Sequence, residues 1–349
     1  MRYNQPMCSS PHPGFLVPLL LLLVLAGCGR SGPDQPFELY VDRLARTLDT
    51  TPSSPMLPGA VARMPRTGDL RLEIAADRLA ALDFLDLRGC SLQVTIGKRN
   101  SSLGRLARDS QKLLLELEYL RLAPECIDYL RQKGDSQLAH QLQQTWELKR
   151  QQLPARIFNA TLANEEFAQL WRPAPLGNDY PGNTNSSVIS ALAAVDALAT
   201  RWLGGDYRAD NEAFELRLYD ISLGDAGTLW RALAHQDNWL DEADRLLQQR
   251  LARGPLCPPG LRPDAAEILP AVVRKFFIEG IQPRAADLGR RYHELLPPIR
   301  SLEQQLALVL PPGYRHWQSH RDGTLDALAR RPREHVTELQ ATLSSCQKQ

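Results

Sequence analysis

The sequence predicts an all-α protein: an elongated multi-helix bundle of roughly eight to ten helices, with kinked long helices, proline-rich connections and at most one short strand pair. Two observations predict it. Apolar residues recur three and four positions apart through most of the chain, the period of a helix that buries one face. Period-two alternation is confined to one short run, Leu92, Val94 and Ile96 between Gly89 and Gly97, which alternates like a short strand but leaves strand and helix both open.

Taken in order, Phe37, Tyr40, Val41, Leu44 and Leu48 form the first helical stripe. Thr50 to Gly68 carries Pro52, Pro55, Pro58 and Pro65, which excludes regular helix. Leu79, Leu82 and Leu85 predict a helix closing at Gly89. From Leu103 to Leu122 the pattern is strongly helical, with Leu106, Leu113, Leu117 and Leu120 on one side, and Pro124 predicts a break or kink. Leu138, Leu142, Trp146, Leu153 and Ile157 continue the pattern past Pro154 towards Trp171.

A loop rich in Pro, Gly and Asn follows, Arg172 to Ser187. Helices are expected over Val188 to Leu203 and Phe214 to Ile221, and a long one through Leu229, Leu233, Leu240, Ala243, Leu247 and Leu251. A proline-rich turn surrounds Cys257. Leu288, Tyr292, Leu295, Ile299, Leu302, Leu306 and Val309 keep one phase across Pro297-Pro298, predicting a kinked helix or two stacked ones. No fixed-period repeat is present, and residues 36–349 read as a single helical domain. Trp146, Trp171, Trp202, Trp230 and Trp239 are expected in its core.

Phe15 to Ala26 is a twelve-residue apolar run ending in Leu25-Ala26-Gly27-Cys28. As helix it would rise about 18 Å, short of the ~30 Å hydrocarbon core, so it reads as the apolar region of a signal peptide. Leu25 to Cys28 resembles the bacterial lipobox. The resemblance implies a signal peptide over residues 1–27, acylation of Cys28, a tether over residues 28–35 and a lipid-held protein on the periplasmic side of the envelope. Gly29 rather than Asp after the cysteine implies the outer membrane. Residues 1–27 hold one basic residue, Arg2, and no acidic one, so the remainder carries 40 of each sign. A nucleic-acid partner would call for a basic excess, and none is expected. The expected partners are the membrane, through the lipid, and an envelope protein.

Apart from Cys8 and Cys28, the cysteines are Cys90, Cys126, Cys257 and Cys346. Four in an oxidising compartment read as two disulfides with three possible connectivities. Cys90 with Cys126 and Cys257 with Cys346 is preferred, because each joins neighbouring regions. No Cys-x-x-Cys spacing supports zinc.

His316 and His320 have the four-residue spacing of a zinc pair, but Trp317 stands where the Glu of His-Glu-x-x-His belongs; two surface histidines are expected. Glu116 with Glu118, Glu165 with Glu166, and Asp241 with Glu242 and Asp244 read as solvated helix faces. Ser345 and Lys348 match Ser-x-x-Lys without its companion motifs. Arg330, Arg331 and Arg333 read as a solvated helix end, being fewer than the basic residues of a lipid-binding patch. No nucleotide-binding or nucleophile-elbow motif is present, and no cofactor or metal is expected.

Several segments together resemble a family of gammaproteobacterial lipoproteins catalogued as domain of unknown function 3080. They are the lipobox at Cys28, Cys90-Ser-Leu, Gly97 to Gly104, Leu153-Pro-Ala-Arg-Ile, Pro255-Leu-Cys257, Phe276 to Pro283, and His335-Val336 before Cys346. Thr337-Glu338-Leu339 departs from the pattern, which would place an aromatic there. The resemblance implies a lipoprotein with this cysteine framework and no established activity. Lys98 to Ser102 and Ile281 to Pro283 stand out as surfaces to inspect, although Asn100 and Ser101 also suit a helix cap. The expected role is non-enzymatic: a helical scaffold, adaptor or binding module. The alternatives are a hydrolase with a site assembled from distant carboxylates and a small-ligand or lipid carrier with an apolar pocket.

Overall fold

The computed structural model describes residues 32–53, 61–75, 87–182, 184 and 186–347. The expected signal peptide, Cys28, Lys348 and the helix expected over Leu79 to Leu85 lie outside these residues. The described chain is all-α and contains no strand. Its helices are α1 (Gln35–Leu48), the single turn α2 (Thr67–Leu70), α3 (Leu92–Asn100), α4 (Ser102–Leu106), α5 (Asp109–Gln132), α6 (Ser136–Ala160), α7 (Glu165–Leu170), α8 (Ser187–Leu203), α9 (Asn211–Ser222), α10 (Ala226–Leu251), α11 (Asp264–Val272), α12 (Gln282–Gln305) and α13 (Pro312–Gln347). A π-helical turn, Val273–Ile278, continues α11.

The buried apolar residues form three clusters. One gathers α5, α6, α8, α9, α12 and the first halves of α10 and α13 around Trp171, Trp202, Trp230 and Trp317. A second joins α1 and α11 to the far ends of α10 and α13. A third packs α3 against α5, with the start of α6 in the same cluster. Trp171, Trp202 and Trp230 are buried as expected, whereas Trp146 and Trp239 pack at cluster edges. The sulfurs of Cys90 and Cys126 lie at bonding distance, as do those of Cys257 and Cys346.

Three local readings are resolved. Leu92, Val94 and Ile96 lie in α3. Leu92 and Ile96, four apart, share its buried face while Val94 is exposed, so a helical pair imitated an alternating strand. The helix expected over Leu103 to Leu122 divides at Ala107 and Arg108, whose backbones are extended. Leu113, Leu117 and Leu120 are buried, but Leu103 and Leu106 stand 85% and 87% exposed. Pro124, in contrast, lies inside a helix that runs on to Gln132.

Proline lacks an amide hydrogen, so Pro124 leaves the carbonyl of Leu120, four residues earlier, without its helical donor. The indole Nε1 of Trp146, on α6, donates to that carbonyl at 3.0 Å. Replacing Trp146 with phenylalanine keeps most of the ring and removes the donor. Denaturant unfolding should show a loss of about 1–3 kcal/mol, the cost of an unsatisfied, partly buried acceptor; an unchanged midpoint would mean that the carbonyl is satisfied otherwise. Pro297-Pro298 is likewise inside one continuous helix, α12.

Several charges read as solvated are buried. Asp244 is bonded to the imidazole Nδ1 of His335, whose Nε2 meets the Tyr40 hydroxyl at 2.8 Å. Tyr40 and His335 are fully buried, and burial together with the Asp244 charge pushes the Tyr40 phenol well above its ordinary range. Glu242 accepts from the amide and hydroxyl of Ser53 at 2.7 and 2.9 Å. Arg331 is in the middle of α13 rather than at a helix end, bonded to Asp237 and Asp244 at 2.8 and 2.9 Å. Arg330 and Arg333 remain exposed. Tertiary packing, not local spacing, decides these cases, because α10 and α13 bury their charged stripes against each other and α1.

Candidate functional site: a basic cleft between α3, α4, α5 and α6

The sequence from Lys98 to Arg108 builds one wall of a cleft. Ser101 ends α3 and caps α4: its hydroxyl donates to the Lys98 carbonyl at 2.6 Å and accepts from the Gly104 amide at 3.0 Å. Gly104 then packs against the end of α3. A Cβ there would fall 2.3 Å from the Lys98 carbonyl oxygen and 2.6 Å from that of Arg99, so only glycine permits this approach. The extended Ala107 and Arg108 turn the chain into α5, which begins at Asp109.

The opposite wall is the extended segment 71–75, strapped to α6. Asn159, buried on α6, accepts from the Leu72 amide at 2.8 Å and donates to the Leu72 carbonyl at 2.9 Å. Gln152 donates to the Ala75 carbonyl at 3.0 Å. The space between the walls comprises two hollows of about 460 and 640 Å³ that share Arg71, Asp109, Lys112 and Asn159. Arg99 and Arg156 line the second, Arg105 and Arg108 the first.

The acids of this cleft are largely engaged. Asp109 accepts two bonds from Arg71, both 2.8 Å, and these bonds raise the pKa of the Arg71 guanidinium above its ordinary value. Glu166 pairs with Arg108 at 3.0 Å. Thr67 donates to Glu165. Glu73 stands exposed at the rim. Glu116, expected on a solvated face, is buried beneath the cleft beside the buried ammonium of Lys149, 2.5 Å away. Arg99 and Arg156 approach the same carboxylate at 2.8 and 3.6 Å, so one negative charge is shared by three cations. Arg105 and Lys112 have no carboxylate partner among the described residues.

Of the sequence candidates, Arg99 lines the second hollow and, with Asn100 and Gly104, a third of about 200 Å³ that shares Arg99, Arg105, Lys112 and Arg156 with the other two, so part of the Lys98 to Ser102 run reaches the site. Ile281 is instead buried in the second apolar cluster, at the other end of α12 from Pro297. His316 and His320 are exposed on α13, and no group of three or more His, Cys, Asp or Glu among the described residues could hold a metal. Ser345 accepts from the Cys257 amide at 3.2 Å, a structural contact. Sequence reasoning missed Arg71, Lys149 and Asn159, because each comes from a different segment and acts only through the others. Arg156 was legible only as part of Leu153-Pro-Ala-Arg-Ile. A separate, more apolar hollow of about 580 Å³ lies between α8 and α9, floored by Leu198, Trp202 and Phe214 and rimmed by Arg201, Arg208 and Arg217.

Fold and site together define a helical-bundle protein with a basic cleft at the α3–α6 corner. The chain belongs to the family described as protein of unknown function (DUF3080), whose pattern matches residues 37–349. No curated protein and no solved structure matches it. The segments that carry the family resemblance converge on two places. Cys90-Ser-Leu, Gly97 to Gly104 and Leu153 to Ile157 meet around the cleft and the cluster beneath it. Phe276 to Pro283, Pro255-Leu-Cys257 and His335 meet at the other cluster, where the Phe277 ring lies 4.8 Å from that of His335.

Proposed function

We propose that this protein is a lipid-anchored, non-enzymatic binding module of the bacterial cell envelope, whose helical body takes an anionic group into the cleft between α3, α4, α5 and α6. The lipobox at Leu25 to Cys28 supports the anchor, with acylation of Cys28, the periplasmic face and the outer membrane following from it. No helix among the described residues is long and apolar enough to cross a membrane. One observation carries the binding reading: Arg105 and Lys112 face a cleft in which Asp109, Glu116 and Glu166 are already bonded to other cations. Cations without carboxylate partners, beside the start of α5, attract an anion through charge-assisted hydrogen bonds.

The same bonding weakens the hydrolase alternative. A catalytic pair of carboxylates must flank one bond of a substrate, and Asp109, Glu116 and Glu166 are instead bonded to Arg71, Arg99 and Arg108. Titration calorimetry of the full chain with pyrophosphate tests the proposal. Saturable binding is expected, weakened at least tenfold in the Arg105→Ala/Lys112→Ala variant, since a hydrogen bond to a charged group contributes about 1.5–3 kcal/mol. Neither side chain supports the fold, so circular dichroism should not change. Equal affinity in variant and parent, or no binding to either, sinks the reading.

A further inference from the structure

Two leucines at the mouth of the cleft have no packing role. Leu103 and Leu106 are 85% and 87% exposed on α4, and Val94, 62% exposed, lies on the preceding α3. A lone exposed leucine is ordinary, but a pair raised on a five-residue helix is not; Lys98, Arg99 and Arg108 nearby are held by Glu118, Glu116 and Glu166, at 3.6, 2.8 and 3.0 Å, which leaves Arg105 and Lys112 as the cations without a carboxylate partner among the described residues. The extended break at Ala107 and Arg108 is what lifts them out of the α5 stripe. Exposed leucines beside two such cations match a surface that is negatively charged outside and apolar a few ångströms in.

We propose that α4 docks on an anionic phospholipid leaflet, with Leu103 and Leu106 among the acyl chains and a lipid phosphate held by Arg105 and Lys112 at the cleft mouth. This rests on the anion-binding reading above and names its ligand. Charge complementarity selects the occupant: Arg105 and Lys112 line the hollow beside Leu106, and a phosphate-rich surface answers both cations as well as the leucines, whereas a neutral protein surface would answer only the leucines.

The test places the photocrosslinker p-benzoylphenylalanine at Leu106 in the full chain, reconstituted into vesicles of phosphatidylcholine with or without phosphatidylglycerol. Mass spectrometry then identifies what is attached after illumination. A phospholipid adduct is expected in the vesicles containing phosphatidylglycerol. Each basic residue near an anionic surface contributes about 1 kcal/mol, a factor of about five, so Arg105→Ala/Lys112→Ala should lower the yield roughly 30-fold. Attachment to residues 76–86 of the same chain, to a second copy, or to lipid equally in both vesicle types overturns the proposal. If pyrophosphate still binds while no lipid adduct forms, leaflet docking falls and the anion-binding reading stands; if neither occurs, both fall.

Discussion

Replacing Glu303 with alanine is expected to lower the free energy of unfolding by about 3–5 kcal/mol, because it removes the bidentate partner of a buried guanidinium and leaves it only Asp322, at 2.9 Å. Glu303 on α12 and Arg321 on α13 are 1% and 0% exposed. The pair is bidentate, Nη1 to Oε1 and Nη2 to Oε2, each at 2.7 Å. The same carboxylate accepts from the Tyr314 hydroxyl at 2.6 Å and from Gln318 at 2.9 Å. Burial opposes charge on Arg321, but hydrogen bonding to Glu303 and its negative charge more than offset this, holding the guanidinium above its ordinary pKa. The rings of Trp171 and Trp317 lie 5.1 and 4.9 Å from the guanidinium carbon.

Removing both charges should cost far less than removing one, since an apolar pair of similar volume replaces an ion pair at little net penalty. Glu303→Leu combined with Arg321→Met is therefore expected to recover part of the loss, the buried Tyr314 hydroxyl still lacking its acceptor. Urea denaturation of the single and double variants reads the difference. A single-variant loss under about 1 kcal/mol, the scale of an exposed pair, would show that the site relaxes to admit water.

The second large effect concerns the bridge between Cys257 and Cys346, separated by 89 residues. Converting both to serine should remove about 4–5 kcal/mol in the chain-entropy account. The bridge fastens the end of α13, where Leu339 is buried and Leu343 packs against the α1–α11 cluster. Hydrogen exchange should therefore quicken first in the last turns of α13, before global unfolding. The thermal transition of the parent with and without reductant, beside that of the double variant, checks the magnitude. Coincident transitions in all three would show that the bridge contributes nothing.

The fold class was legible because helix period is a local property. The stripes Phe37 to Leu48, Leu229 to Leu251 and Leu288 to Leu306 each put their apolar residues on the buried face. Helix ends were less legible. Nothing at Ala107 or Arg108 marks a stop by residue type, and Leu106 is in phase with Leu113. The break belongs to the packing of Gly104 on the carbonyls of α3. At Pro124, where a break or a kink was expected, the helix does not break, since a donor 22 residues later in sequence, Trp146, takes the freed carbonyl.

The cleft was half visible. Lys98 to Ser102 stood out as a polar run, but a run of charge does not reveal which charges find partners. Glu116 shows the limit: beside Glu118 on a helix it reads as solvated, and it is the insertion of Lys149 from α6, with Arg99 and Arg156, that makes it a buried counter-ion.

By itself the sequence determined that the chain folds as helices, which faces those helices bury and which cysteines are near enough in the chain to pair readily, because period, phase and separation are properties of one dimension. Only the tertiary structure decided which carboxylates are neutralised, where prolines are tolerated and which leucines are left in solvent. Those outcomes depend on groups brought from distant segments, and the free energy of a charge or an unsatisfied carbonyl is set by what surrounds it.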